Sequence, residues 1–233
     1  MAAPAEVTVH DLNGTWVMEI KTPPKDSSLS NDPDAIFKLQ GMSWLTRKAI
    51  GLATVTLKIS QKTTDAGVVE LTIDQVLTGG VRGTSELRVL DWSERPHQDH
   101  IFGSLTGQSR FCKADASASA SASAGDSDGK RQPTVDVQTK AGSAAEDVAV
   151  AEFLRGETLA DGEPADGFAI DGANEDLLQS WVRSLDNGWT AEQIWGFERI
   201  EGVRRYTRRV VVAKGGEVQK VRLVYTFMNR STE

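Results

Sequence analysis

The chain opens its first strand with Asn13-Gly14-Thr15-Trp16, and strand patterns then recur almost to the C-terminus. A Gly-x-Trp on the first strand of an all-β chain admits few folds. The spacings suit an antiparallel meander of about nine strands, near the number a closed barrel needs. Closure gives a barrel with a cavity inside. The expectation is a chain that holds a small apolar molecule.

The pattern along the chain supports this. Gly14 to Ile20 places Trp16, Met18 and Ile20 on one face, with Trp16 structural at the barrel base. A loop rich in Pro, Ser and Asp follows from Thr22 to Asp34. Asp34 to Ala53 has helical spacing, divided at Gly41. Strands are expected over Thr54–Gln61, Val68–Leu77, Thr84–Trp92 and His100–Cys112. Turns fall at Asp65-Ala66-Gly67 and Gly79-Gly80. Asp147–Arg155 reads as a strand, Asp161–Gly172 as a loop, and Asn174–Leu185 as a short helix through Leu177, Leu178 and Trp181. Three strands close the chain: Ala191–Ile200, Arg205–Ala213 and Val218–Met228, the last two joined by the turn Lys214-Gly215-Gly216-Glu217. The fold class is all-β: a single antiparallel barrel of about nine strands with short helices. Residues 1–233 form one domain, and residues 114–145 form one long loop inserted between strands. The run Ser117 to Ala124 alternates Ser and Ala, so this loop has almost nothing to bury and is expected to be disordered.

Composition narrows the partners. The formal net charge is −7, which argues against nucleic acid or an anionic membrane surface. The basic run Arg204, Arg205, Arg208, Arg209 alternates within a strand and reads as a solvated barrel face. A lone Cys112 excludes an intrachain disulfide and reads as a structural thiol. The N-terminal Met-Ala-Ala-Pro-Ala-Glu lacks the features of a signal peptide, and no apolar stretch is long enough to span a bilayer. The expected location is cytoplasmic. Nothing in the sequence specifies an oligomeric state.

The chemistry must come from the barrel interior. His10, His97 and His100 lack metal-ligand spacing, so no metal is expected. No phosphate-binding glycine loop occurs, and no cofactor is expected. Polar residues on apolar strand faces are the best candidates, because a buried polar group needs a partner. Gln75 is in phase with Leu71 and Ile73, Asp91 with Leu87 and Val89, and Tyr225 with Leu223 and Phe227. His100 leads a polar face through Phe102, Ser104, Thr106 and Gln108. Gln75, Asp91, His100 and Tyr225 are therefore the candidate catalytic residues. Trp44, Trp92, Phe102, Trp195, Phe197 and Leu223 are the candidate substrate-binding residues. Each has a plainer reading: a barrel end where water satisfies the polar group, or core for the aromatic. Between Thr84 and Cys112 a slip of one residue would exchange the two faces.

The segments Asp32-Pro33-Asp34, Leu39-Gln40-Gly41 and Trp44-Leu45-Thr46-Arg47-Lys48-Ala49-Ile50-Gly51-Leu52-Ala53-Thr54-Val55, behind Gly14-Thr15-Trp16, carry a resemblance. The chain resembles fungal lipocalin-like proteins of secondary-metabolite clusters, some of which are hetero-Diels–Alderases of tropolone sesquiterpenoid pathways. The resemblance implies a lipocalin-like barrel and a cofactor-free pericyclase acting on small apolar polyketide or terpenoid partners. It implies no catalytic residues. In that chemistry a hydroxymethyl tropolone loses water to a quinone methide, which adds to an alkene of a cyclic terpene. Gln75 and Tyr225 are then candidate donors to the tropolone oxygen, and Asp91 or His100 the acid or base. The Arg47-Lys48 pair reads as snorkelling to solvent or capping the barrel end, with a grip on an acidic tropolone as the less favoured alternative. An intracellular carrier with the same cavity is the alternative, and a filled barrel without ligand is a third reading. The resemblance favours the enzyme.

Overall fold

The computed structural model describes residues 2–19, 29–79, 83–115, 132–170 and 176–230. Ile20, most of the loop after it, Gly80 and Asn174 lie outside these residues, as does the Ser/Ala run. Along the chain come β1 (Gly14–Met18), α1 (Asp34–Leu39), α2 (Trp44–Leu52), β2 (Val55–Thr63), β3 (Val69–Leu77), β4 (Ser85–Val89) and β5 (Arg95–Asp99). β6 (Gly103–Asp115), β7 (Gln132–Pro133), α3 (Ala144–Arg155), β8 (Asp176–Ser184), β9 (Thr190–Ile200), β10 (Val203–Lys214) and β11 (Glu217–Asn229) follow. The strands form one antiparallel sheet in the order β4-β3-β2-β1-β11-β10-β9-β8-β6-β5, with β7 paired to β6. The chain's first and last strands are thus neighbours, and the sheet curls into an open, lipocalin-like barrel. The described residues form eleven strands, where about nine were expected, because β5 and β7 are too short to show a period of two.

Gly14 explains why the opening motif needs glycine. β1 changes register against β11 between Thr15 and Trp16. A Cβ on Gly14 would lie 2.7 Å from the Asn229 carbonyl oxygen and 2.9 Å from the Phe227 ring, and its φ is +145°. Trp16 then turns fully inward. Its indole N–H donates to the Leu12 carbonyl at 3.0 Å, and its ring packs on Tyr206 and Phe227 at centroid distances of 5.0 and 4.9 Å. The N-terminal segment seals this end. Arg204 donates to the carbonyls of Pro4 and Val7, and Ala3, Val7, Val9 and Leu12 are buried. At the other end α1 lies against β10 and β11, with Ile36 buried beside Leu105, Trp189 and Val221. The two edges of the curled sheet meet where the Trp92 N–H donates to the Ser109 carbonyl and Arg88 reaches the Ser180 hydroxyl.

Two elements differ from the sequence reading. Residues 147–155 belong to the helix α3, not to a strand. Ser143 caps it by accepting from the Glu146 N–H and bonding the Glu146 carboxylate, and Gly156 ends it at φ +92°. Residues 176–184 are the strand β8, not a helix. Leu178 faces the interior while Leu177 packs beneath α3 on the outside. A strand covered on both sides shows no alternation, so its apolar spacing imitates a helix. The stretch read as a free loop to Ala145 also has an anchored part. Val135 and Ala141 are buried under α3, and the N–H groups of Gln138 and Thr139 donate to the buried Glu192 carboxylate.

The arginine run is not a solvated face. Arg204, Arg208 and Arg209 are all buried. Arg204 and Arg208 point inward. Arg209 points outward but is covered by α3 and its following turn, where it donates to Glu198 and to the Phe153 carbonyl. Alternation alone cannot separate a wet outer face from one covered by a helix added later in the fold.

Candidate functional site

The curled sheet encloses a cavity of about 710 Å³, within the usual range for small-molecule sites. Its walls are mostly apolar: Leu57, Leu77, Leu105, Trp189, Val210 and Leu223 among them. Polar residues interrupt them, and the most deeply buried form a cluster around Arg208. Arg208 on β10 is stacked over the Trp195 ring, 3.9 Å from its centroid, and donates through Nε to the Tyr206 hydroxyl at 2.9 Å. Arg88 on β4 lies 5.3 Å from the same indole and pairs with Glu86. The Gln75 amide donates to Glu86 at 3.4 Å. Tyr225 lines the cavity beside Arg208, with its ring centroid 5.4 Å from the guanidinium.

The electrostatics follow from this packing. Burial opposes ionisation of Glu86, but the charges of Arg88 and Arg208 outweigh it and hold the carboxyl below its ordinary value. Burial pushes the Tyr206 phenol up to about 12 and the Tyr225 phenol upward as well. Both hydroxyls are therefore donors at neutral pH. The cluster carries two guanidiniums and one carboxylate, so this part of the wall is net positive although the chain is net negative.

Of the residues proposed from sequence, Gln75, Tyr225, Phe102 and Leu223 come together on the cavity wall. Trp195 and Phe197 are buried in the cluster around Trp16, toward the sealed end. Trp195 forms the floor under Arg208. Four residues lie elsewhere. Asp91 is exposed and bound bidentately by Arg95, which holds its carboxyl well below the usual carboxylate range. His100 is exposed in the turn between β5 and β6. Trp44 is 64% exposed on α2. Trp92 sits at the sheet seam with a left-handed φ of +60°, stacked on Arg110 at 3.9 Å.

The strands near the seam run in the opposite phase to the one expected. On β4, Glu86 and Arg88 reach inward while Leu87 is 59% exposed. On β6, Leu105, Gly107 and Ser109 line the wall, and Phe102 reaches in from the preceding turn. Two charged residues on one face of a short strand read as a wet surface, which is why Glu86, Arg88 and Arg208 escape sequence inspection. The signal available was Arg208 in phase with Tyr206, Val210 and Val212. Arg47 does not snorkel freely. It pairs with Asp34 beside the cavity, across α1 and α2. Cys112 is buried under α3, and burial pushes its thiol up to about 12, far from a nucleophile's range. Among the described residues no helix is long and apolar enough to cross a membrane.

Fold and cavity together define a lipocalin-like open barrel with a ligand-sized, mostly apolar interior. Over nearly its whole length the chain is similar to two curated proteins. It is 25% identical over 230 residues to the probable pericyclase scpY of Mollisia scopiformis, covering 97% of this chain and 95% of that protein. It is equally 25% identical over 230 residues to the pericyclase pydY of Acremonium sp, covering 98% and 97%. Among solved structures it is similar to a Schistosoma mansoni fatty acid binding protein in complex with arachidonic acid (TM-score 0.47, 12% identity, 93% of this chain and 96% of the other). It is also similar to Echinococcus granulosus fatty-acid-binding protein 1 (TM-score 0.48, 10% identity, 94% and 98%). No protein-family model matches the chain.

Proposed function

We propose that this protein is a cofactor-free pericyclase that accepts small apolar polyketide or terpenoid partners into its barrel. The observation that carries the reading is the cavity: apolar walls for two reactants and one cluster of hydrogen-bond donors at Gln75, Tyr225 and Arg208. The likeness to two pericyclases along the full chain supports the reaction class.

The finer reading is a hetero-Diels–Alder reaction. A hydroxymethyl tropolone loses its ring O–H proton and its side-chain hydroxide as water, leaving a quinone methide. This heterodiene adds to an alkene of a cyclic terpene, forming one C–O and one C–C bond. The apolar walls hold diene and alkene face to face, which replaces a bimolecular encounter by an oriented one. They also keep out water that would trap the quinone methide. A donor on the tropolone oxygen lowers the energy of the accepting orbital, and Gln75 and Tyr225 are placed to supply it. Asp91 and His100 lie outside the cavity and take no part in this scheme.

The test is an incubation of a hydroxymethyl tropolone with a cyclic polyene terpene alcohol, with and without the protein, analysed by chiral chromatography with mass detection. Faster formation of one stereoisomer is expected. Unchanged rate and stereochemistry, with tryptophan fluorescence still quenched by either compound, would replace the enzyme by a carrier.

A further inference from the structure

A helix on a protein surface ordinarily turns its apolar stripe to the core and its polar residues to water. α2 does the reverse. Its exposed positions are Trp44, Leu45, Lys48, Gly51 and Leu52, whose spacing puts them on one face. Trp44 is 64%, Leu45 72% and Leu52 89% exposed. The opposite face holds Thr46, Arg47 and Ile50, with Arg47 paired to Asp34 on α1 and Ile50 buried. The other large apolar side chains exposed among the described residues stand singly on β3, β4, β11, α3 and the turn after β8, which is ordinary for a protein surface. Three together on one helix face mark a contact surface.

The place of this stripe and its chemistry identify what covers it. Lys48, Gly51 and Leu52 are exposed and also line the cavity, so the stripe runs up to the cavity mouth. α2 contains no Asp or Glu, and Lys48 is the one charge on its exposed face. A lasting protein interface takes about 800 Å² and about 20–30 residues from each partner, and this face supplies five. A lipid surface sets no such threshold and needs no matched shape. A few apolar side chains enter the acyl region, Trp sits at the headgroup level and Lys reaches back to water. The net charge of −7 works against anionic lipid, so apolar insertion must supply the attachment. We propose that α2 seats the cavity mouth on the surface of an uncharged, zwitterionic lipid bilayer, and that apolar ligands pass between bilayer and barrel there. The surface stands apart from the pericyclase reading, which bears only on what the cavity takes up.

The full chain and large phosphatidylcholine vesicles provide the test, with Trp44 as a built-in probe. Trp16, Trp189 and Trp195 are already buried, whereas Trp44 faces water. Adding vesicles should shift the tryptophan emission to the blue, reduce its quenching by acrylamide, and carry the protein with the vesicles in flotation. Trp44→Phe should abolish the emission shift and keep most of the flotation. Leu45→Ser and Leu52→Ser, both at exposed positions, should each weaken partitioning about ten-fold, with the melting temperature unchanged. Val148→Ser removes an exposed apolar side chain from α3 and should partition like wild type. Failure of the wild-type protein to float with vesicles at millimolar lipid overturns the proposal. So does an emission shift that survives Trp44→Phe, an equal loss in Val148→Ser, or binding that needs phosphatidylglycerol in the vesicles. A dimer in sedimentation velocity that Leu45→Ser breaks, with vesicles ignored, gives the face to a second copy of the chain instead. A protein that partitions yet leaves the cycloaddition unchanged keeps this surface and loses the enzyme. One that accelerates the reaction but never partitions keeps the enzyme and loses the surface.

Discussion

Arg208 and Arg209 are adjacent, both buried, and differently employed. Arg209 and Arg222 neutralise Glu198, which is 2% exposed on the covered outer face. Arg209→Met would leave that carboxylate with Arg222 and Thr207 alone, and should cost about 3–5 kcal/mol in urea unfolding, as breaking a buried pair does. Arg208→Met leaves the Tyr206 hydroxyl without its partner and takes from Glu86 one of its two neighbouring positive charges, while Arg88 still pairs with that carboxylate; it should cost about 1–3 kcal/mol. Equal losses would contradict the division of labour. Glu86 gives a pH signature. Its folded-state pKa lies below the ordinary 4.5, so the stabilisation it contributes is present above the unfolded value and lost as pH falls through the folded one. Glu86→Gln should be less stable than wild type near neutrality, and the gap in urea midpoint should narrow as the pH falls below the ordinary 4.5. A gap independent of pH would mean that the carboxylate is not held by the guanidiniums. At this scale Gln75 and Tyr225 were legible because each stands alone among apolar neighbours of its own phase. The charged trio was not, since a charged residue is ordinarily a solvated one.

At the level of elements, the sequence reads well wherever one face is wet and the other dry. β2 and β3 alternate over lengths that match their pairing, and β9 and β10, although α3 covers part of their outer face, are long and apolar enough to read as strands. The sequence reads badly at the shorter β8, where the covering layer removes the alternation. β8 and α3 exchange identities because α3 dries the outer face of β8, although Ser143-Ala144-Ala145-Glu146 and Gly156 carried the correct helix signal. Two predictions belong here. Gly14→Ala should cost about 2–4 kcal/mol, since the added Cβ meets backbone and ring at a left-handed φ; a mild effect would mean that β1 shifts freely on β11. Ala114 and Asp115 pair with Pro133 and Gln132, so the ends of the Ser/Ala segment are already adjacent. Replacing residues 117–130 by a two-residue turn should therefore leave the melting temperature and ligand binding unchanged. A large drop would show that the segment packs on the barrel.

For the whole molecule, the opening Gly-x-Trp and the strand series were enough for a closed-up antiparallel sheet with an interior. They could not give the lining, because the phase of β4 and β6 depends on how the sheet edges meet at Trp92, Ser109 and Arg88. On the proposed pericyclase reading, the interior of the barrel, not its surface, determines the product. Val210 lines the cavity wall at the α1 end, paired with Gln193 and Val221 on the neighbouring strands. Val210→Phe fills space there while leaving the donors in place. The measurement is the enantiomeric excess and initial rate of the cycloaddition with wild type and Val210→Phe at equal folded concentration. One stereoisomer is expected from the wild type and, from the filled barrel, a rate and product mixture close to the uncatalysed reaction. Full rate and full stereoselectivity in Val210→Phe would contradict that reading.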